Sequence, residues 1–137
     1  MSQSNLESVD IDEFVKNLKY DEHGLVPAVI QDHLNNEVLM VAYMNSDAVR
    51  KTIEGPFVNF YSRSRQKMWI KGESSGHTQT VKEIFFDCDK DCLLIKVEQK
   101  VAACHVGYRS CFFRKLENSS IKTIGEKIFI EQDVYKK

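Results

Sequence analysis

Leu93-Leu94-Ile95-Lys96-Val97-Glu98 sets apolar side chains at 93, 95 and 97 against a mostly polar set at 94, 96 and 98. A period of two marks a half-buried strand, because successive side chains leave a pleated chain on opposite faces. A second run rich in β-formers, Thr78 to Phe86, precedes it with only Asp87 to Cys92 between. So short a connection joins antiparallel neighbours, since parallel pairs need long crossovers. Outward from this pair, Phe57 to Tyr61, Lys67 to Lys71, Tyr108 to Lys115 and Lys127 to Glu131 read as further strands. Leu25 to Ile30 and Glu37 to Tyr43 flank Asn35-Asn36 and predict a hairpin. Asp10 with Glu13 predicts a capping box opening a short helix, with Ile11, Phe14, Val15 and Leu18 on one face. A second helix is expected after Asn45 or Ser46, through Ala48, Val49 and Ile53, stopped by Gly55-Pro56. The fold class is therefore α+β and mostly antiparallel, a compact barrel-like or sandwich core with two short helices.

The 137 residues fit one domain, with 1–9 as a loose tail and no repeat, linker or internal boundary. With 42% hydrophobic and 28% charged residues, six Gly and two Pro, the composition excludes a collagen-like, low-complexity or largely disordered chain. Nineteen Lys and Arg against twenty Asp and Glu leave a net charge of -1, so any basic site is local and no nucleic-acid partner is expected. The longest apolar run, Val38 to Met44, falls far short of the ~18 residues of a membrane helix. Residues 1–13 lack the basic and apolar regions of a secretory signal, and the expected location is cytoplasmic. There, cysteines serve as free thiols or metal ligands rather than disulfides, and all four lie between 88 and 111.

Asp87, Asp89 and Asp91 stand at alternate positions, with Cys88 between the first two. In an extended chain the carboxylates share one face and the thiol takes the other. Hard oxygen ligands suit magnesium or calcium, whereas a thiolate suits zinc; a charged turn between strands is the competing reading. An EF-hand loop is excluded by Cys92 at the turn-glycine position and by flanking strands instead of helices. Cys104 and Cys111, with six residues between them, join Cys88 as candidate thiolate ligands. Three thiolates leave a fourth tetrahedral position for water, as in catalytic zinc; adding Cys92 would close the site as a structural one. His105, beside Cys104, is a candidate general base. Within 61–77, Arg63, Arg65, Lys67 and Lys71 with several hydroxyls and two glycines form a candidate phosphate cradle, and Trp69 or Tyr61 offers a stacking surface. Near-neutral total charge favours phosphate on a small molecule.

Taken together, Tyr61-Ser62-Arg63-Ser64-Arg65 through Lys71-Gly72-Glu73-Ser74-Ser75-Gly76, Asp87 to Asp91, and Ala103-Cys104-His105 through Arg109-Ser110-Cys111-Phe112 resemble phosphoribosyl-AMP cyclohydrolase of histidine biosynthesis in order and spacing. The resemblance extends from about Gly24 to Arg114, departing at Val106 and Ala102, where threonine and proline are usual. It implies a homodimer with one zinc per subunit on Cys88, Cys104 and Cys111, the Cys88 position facing the partner's pair. It also implies one magnesium per subunit on Asp87, Asp89 and Asp91. The implied reaction opens a purine ring between N1 and C6 by attack of water, with His105 as candidate proton shuttle and Arg63, Arg65, Lys71 and Trp69 as candidates for holding the substrate. Two other classes compete. A zinc module binding RNA would use four closed ligands, and a redox protein would need a Cys-x-x-Cys pair, which the sequence lacks.

Overall fold

Helix α1 (Ile11–Lys16) begins where the Asp10 carboxylate accepts the Asp12 amide, one position earlier than a capping box requires. The computed structural model describes residues 6–129. Strands β1 (Val26–Asp32) and β2 (Val38–Met44) form the expected hairpin, and Asn36 takes the left-handed conformation in its turn. The Asn45 side chain caps α2 (Ser46–Glu54) by accepting the Ala48 amide at 2.8 Å, and Gly55 closes it at φ 75°. Next come β3 (Asn59–Ser62) and β4 (Lys67–Ile70), an antiparallel pair, then β5 (Gln79–Phe86) and β6 (Leu93–Gln99), also antiparallel.

The main sheet is four-stranded in the order β2-β1-β6-β5. Its central pair departs from the expectation: β1 and β6 run parallel, from Ala28 opposite Leu93 to Asp32 opposite Val97. The short-connection argument governs strands adjacent in sequence, and these two are joined through β2, α2, β3, β4 and β5. Nor do the described strands close into a barrel. The β3–β4 pair is separate, tied to β5 by the isolated bridge between Phe57 and Thr80.

The anticipated strand from Tyr108 to Lys115 is mostly irregular. Residues 103–109 fold back on themselves through Ala103 N–H to Arg109 O (2.8 Å) and Gly107 N–H to Cys104 O (3.1 Å), leaving no ladder until β7 (Arg114–Glu117). An unanticipated strand, β8 (Ser120–Thr123), pairs with β7 around Asn118, which has φ 56°. Both strands are exposed throughout, so burial left no alternation in their sequence to read. Residues 127–129 form no strand, and the remainder of the strand expected at Lys127–Glu131 lies outside the described residues, as do residues 1–5 of the expected tail.

The core collects Val15 and Leu18 beside α1 and α2, Val26, Ala28 and Ile30 of β1, and Leu93, Ile95 and Val97 of β6. The last three are the apolar set of the alternating stretch, each at most 1% exposed. Phe60 of β3 is also fully buried, its ring 4.9 Å from that of Trp69. Thus β3 and β4 are held on the core while their connecting turn, residues 63–66, remains exposed.

Candidate active site

Cys104 and Cys111 come together because residues 103–111 are tied to β2. Cys111 N–H donates to Leu39 O at 2.7 Å, and Ser110 Oγ donates to Val38 O at 2.7 Å. Cys104 is buried, and its thiol and that of Cys111 are hydrogen-bonded neighbours. Cys111 is exposed as a residue, and its thiol neighbours that of Cys104 and the Lys71 ammonium. Desolvation and the adjacent Cys104 push the Cys111 thiol up to about 11, against the opposing pull of the Lys71 ammonium. The Cys111 thiol thus resists ionising beside its neighbour, and a bound metal ion would relieve that resistance.

Lys71 is buried, and its Nζ donates to Ala103 O at 2.6 Å. Burial lowers its pKa, while the charges of Cys111 and Cys104 act the other way. Among the described residues only the three carboxylates gather three or more metal-type ligands within 4.8 Å of one another, so Cys88 does not join Cys104 and Cys111 within this chain. Cys88 instead sits exposed in the turn before β6. Cys92 is half-buried with its Sγ 3.7 Å from Leu93 O, and burial followed by the charges of Asp87, Asp91 and Asp89 raises its pKa.

Asp87, Asp89 and Asp91 converge, but in a tight turn rather than the extended chain expected. Asp87 N–H donates to Cys92 O (3.1 Å), Lys90 N–H donates to Asp87 O (3.0 Å), and Lys90 has φ 63°. All three carboxylates are exposed. Hydrogen bonding to Asp87 and then Asp89 retains a proton on Asp91, raising its pKa to about 6; their charges add to the effect. At Asp87, desolvation acts upward, but hydrogen bonds from Asp91, Asp89 and the Cys92 amide outweigh it and hold the carboxyl below its ordinary value. Asp87 and Asp91 therefore titrate as a pair.

The basic stretch and His105 meet at a cavity of about 500 Å³. Arg65, Lys67, Trp69 and Lys71 line it together with His105 and serine hydroxyls from residues 62, 64, 74 and 75. Gly72 is required here: at φ 89°, a Cβ would lie 2.6 Å from the His77 carbonyl carbon and the Thr78 nitrogen. Arg63 faces elsewhere, its guanidinium 4.1 Å over the Tyr43 ring beside a neighbouring hollow that Trp69 also lines. Sequence reasoning missed His77. Its ring is buried, its Nδ1 has no partner among the described residues, and burial followed by the Lys71 charge lowers its pKa. Only the adjoining Gly76-His77 pair hinted at it.

A sequence model of phosphoribosyl-AMP cyclohydrolase matches residues 40–113, the span from β2 through the second thiol. A phosphoribosyl-AMP cyclohydrolase of Methanosarcina mazei is 56% identical over 119 residues, covering 87% of this chain and 96% of that protein. One from Methanosarcina barkeri is 57% identical, with 84% and 87% covered. The histidine biosynthesis bifunctional protein HisIE of Thermoanaerobacter pseudethanolicus is 49% identical over 91% of the chain, which spans 58% of that longer protein. The matched span contains both thiols of the pair, the carboxylate turn and every lining residue of the cavity at His105, and on that agreement the chain belongs to the phosphoribosyl-AMP cyclohydrolase family.

Proposed function

We propose that the chain hydrolyses 1-(5-phosphoribosyl)-AMP in histidine biosynthesis, opening the purine ring between N1 and C6 to give the formimino-aminoimidazole carboxamide ribotide. The observation carrying this reading is the cavity where His105 meets Arg65, Lys67 and Lys71, adjoining the paired thiols of Cys104 and Cys111 through the Lys71 contact on Ala103. The donor set fits the expected metals: soft sulfurs on one side, three exposed carboxylates on the other. In this reading Cys104, Cys111 and Cys88 of a second subunit hold one zinc per subunit, and Asp87, Asp89 and Asp91 hold one magnesium. The separation of Cys88 from the thiol pair supports a shared site in a homodimer. Zinc bound there supplies a Lewis acid that lowers the pKa of water to about 7.

The remaining work belongs to side chains. Arg65 and Lys67 hold phosphate at the cavity wall, and Trp69 offers its ring to the base. Arg63, stacked on Tyr43, binds from the neighbouring hollow. The imidazole of His105 takes a proton from the attacking water and delivers one to N1 as the bond to C6 breaks, leaving the water oxygen on C6 as the carboxamide carbonyl. The enzyme acts on a small phosphorylated nucleotide in the cytoplasm and engages neither nucleic acid nor membrane. No helix among the described residues is long and apolar enough to cross a membrane.

The experiment is turnover of phosphoribosyl-AMP with metal analysis of variants. Cys104→Ser is expected to lose zinc and activity together, and Cys92→Ser to keep both. Loss of zinc from the Cys92 variant would make the site a closed four-thiolate one and overturn the catalytic reading.

A further inference from the structure

Besides the Lys71 contact on Ala103 and the Ile128 amide on Gly107 O (2.7 Å), the segment carrying Cys104 and Cys111 is fastened at two places. One is the edge of β2, through the Ser110 and Cys111 contacts already described. The other is ionic: Arg109 places one guanidinium nitrogen on Asp32 Oδ2 and the other 3.5 Å from Glu37 Oε1. Asp32 is 3% exposed, an unusual setting for a carboxylate unless paired. Its other oxygen accepts the Leu34 amide at 2.7 Å and the Asn35 amide at 3.2 Å, which fixes the side chain within the β1–β2 turn. Asp32 therefore stands as a rigid anion at the end of the sheet's central parallel pair.

From Arg109 the constraint passes through backbone. Arg109 O accepts Ala103 N–H at 2.8 Å, Tyr108 O accepts Cys104 N–H at 3.2 Å, and Ala103 O in turn receives Lys71 Nζ. The residue whose guanidinium meets Asp32 thus also supplies a carbonyl next to Cys104. The sequence distance from Asp32 to Arg109, 77 positions, hid this link from motif reading.

We propose that Asp32 and Arg109 are positioning residues for the thiol pair, holding Cys104 and Cys111 at a separation that accepts a metal ion. This rests on the reading that these thiols bind zinc. Neither residue lines the cavity at His105; they act through the loop, much as outer partners orient ligands elsewhere.

The test measures zinc affinity by chelator competition in wild type, Cys104→Ser, Asp32→Asn, Arg109→Gln and the double variant Asp32→Asn/Arg109→Gln, with circular dichroism to verify folding. Asp32→Asn retains an oxygen for the two turn amides and removes only the charge facing Arg109. Each single variant is expected to bind zinc about 10- to 100-fold more weakly. The double variant should be no weaker than the worse single one, because the pair acts as a unit. Turnover should lose kcat in proportion to zinc, with KM unchanged in the loaded fraction. Wild-type zinc affinity in a folded Asp32→Asn protein would overturn the proposal while leaving the zinc reading intact. Zinc retained by Cys104→Ser would overturn both. If Asp32→Asn does not fold, the Arg109→Gln protein carries the test alone: about 10- to 100-fold weaker zinc binding is expected, and wild-type affinity in the folded variant would overturn the proposal.

Discussion

In the proposed zinc site Cys111 would meet the metal ion as a thiol. With its pKa pushed to about 11, it is protonated at neutral pH, and binding must expel that proton. Zinc affinity of the metal-free protein should rise about tenfold per pH unit on account of this residue alone. Calorimetry in buffers of different ionisation enthalpy should count the released proton; its absence would contradict the crowded pair. Asp91 supplies a second pH signature. A carboxyl raised in the folded state favours folding below its unfolded pKa near 3.9, and that advantage disappears as pH rises through about 6. Magnesium should accordingly raise the melting temperature more at pH 7.5 than at pH 5, and in Asp91→Asn the pH dependence should flatten. The individual ligand candidates were legible because soft and hard donors lie within a few positions of one another. The placements of Lys71 and Asp32 were not, since their partners lie 32 and 77 positions away.

At the scale of elements, α2 is stitched to β3 by one hydroxyl. Thr52 Oγ1 donates to Asn59 O (3.2 Å) and accepts Asn59 N–H (3.0 Å), both residues being buried. Thr52→Val should strand the Asn59 amide and carbonyl and lower unfolding free energy by about 1–3 kcal/mol in urea, while Thr52→Ser should lose much less. Because β3 and β4 lead into the cavity wall, the same Val variant should also raise KM, a change read in steady-state turnover. Burial imposes a period of two on β1 and β6, and β6 was legible by it, whereas β2 and β5 were legible from their β-forming residues and the helices from their caps and apolar faces. The β7–β8 hairpin escaped notice because its paired Leu116 and Ile121 are each 76% exposed and no buried face organises the neighbouring residues. The parallel β1–β6 pair escaped for another reason: strand order is a property of distant segments, on which local alternation is silent.

For the molecule as a whole, the separation of Cys88 from the thiol pair has a direct test in subunit mixing. Cys88→Ser and Cys104→Ser proteins should each be inactive; exchanging their subunits should create heterodimers with one intact shared site and one lacking both ligands. Activity should return to at most about half of wild type, with demonstrated heterodimers that stay inactive counting against a shared site. The central pairing of the sheet bears on how the chain is made. Every β1 residue in that pair meets a partner 65 positions later. At about 5–20 residues per second, a ribosome needs roughly 3–13 s to synthesise the interval. Throughout that wait β1 can zip to β2 on one side, but its other edge shows bare amides and carbonyls to every neighbouring nascent chain. Vectorial synthesis thus leaves the edge awaiting β6 unpaired for that whole interval.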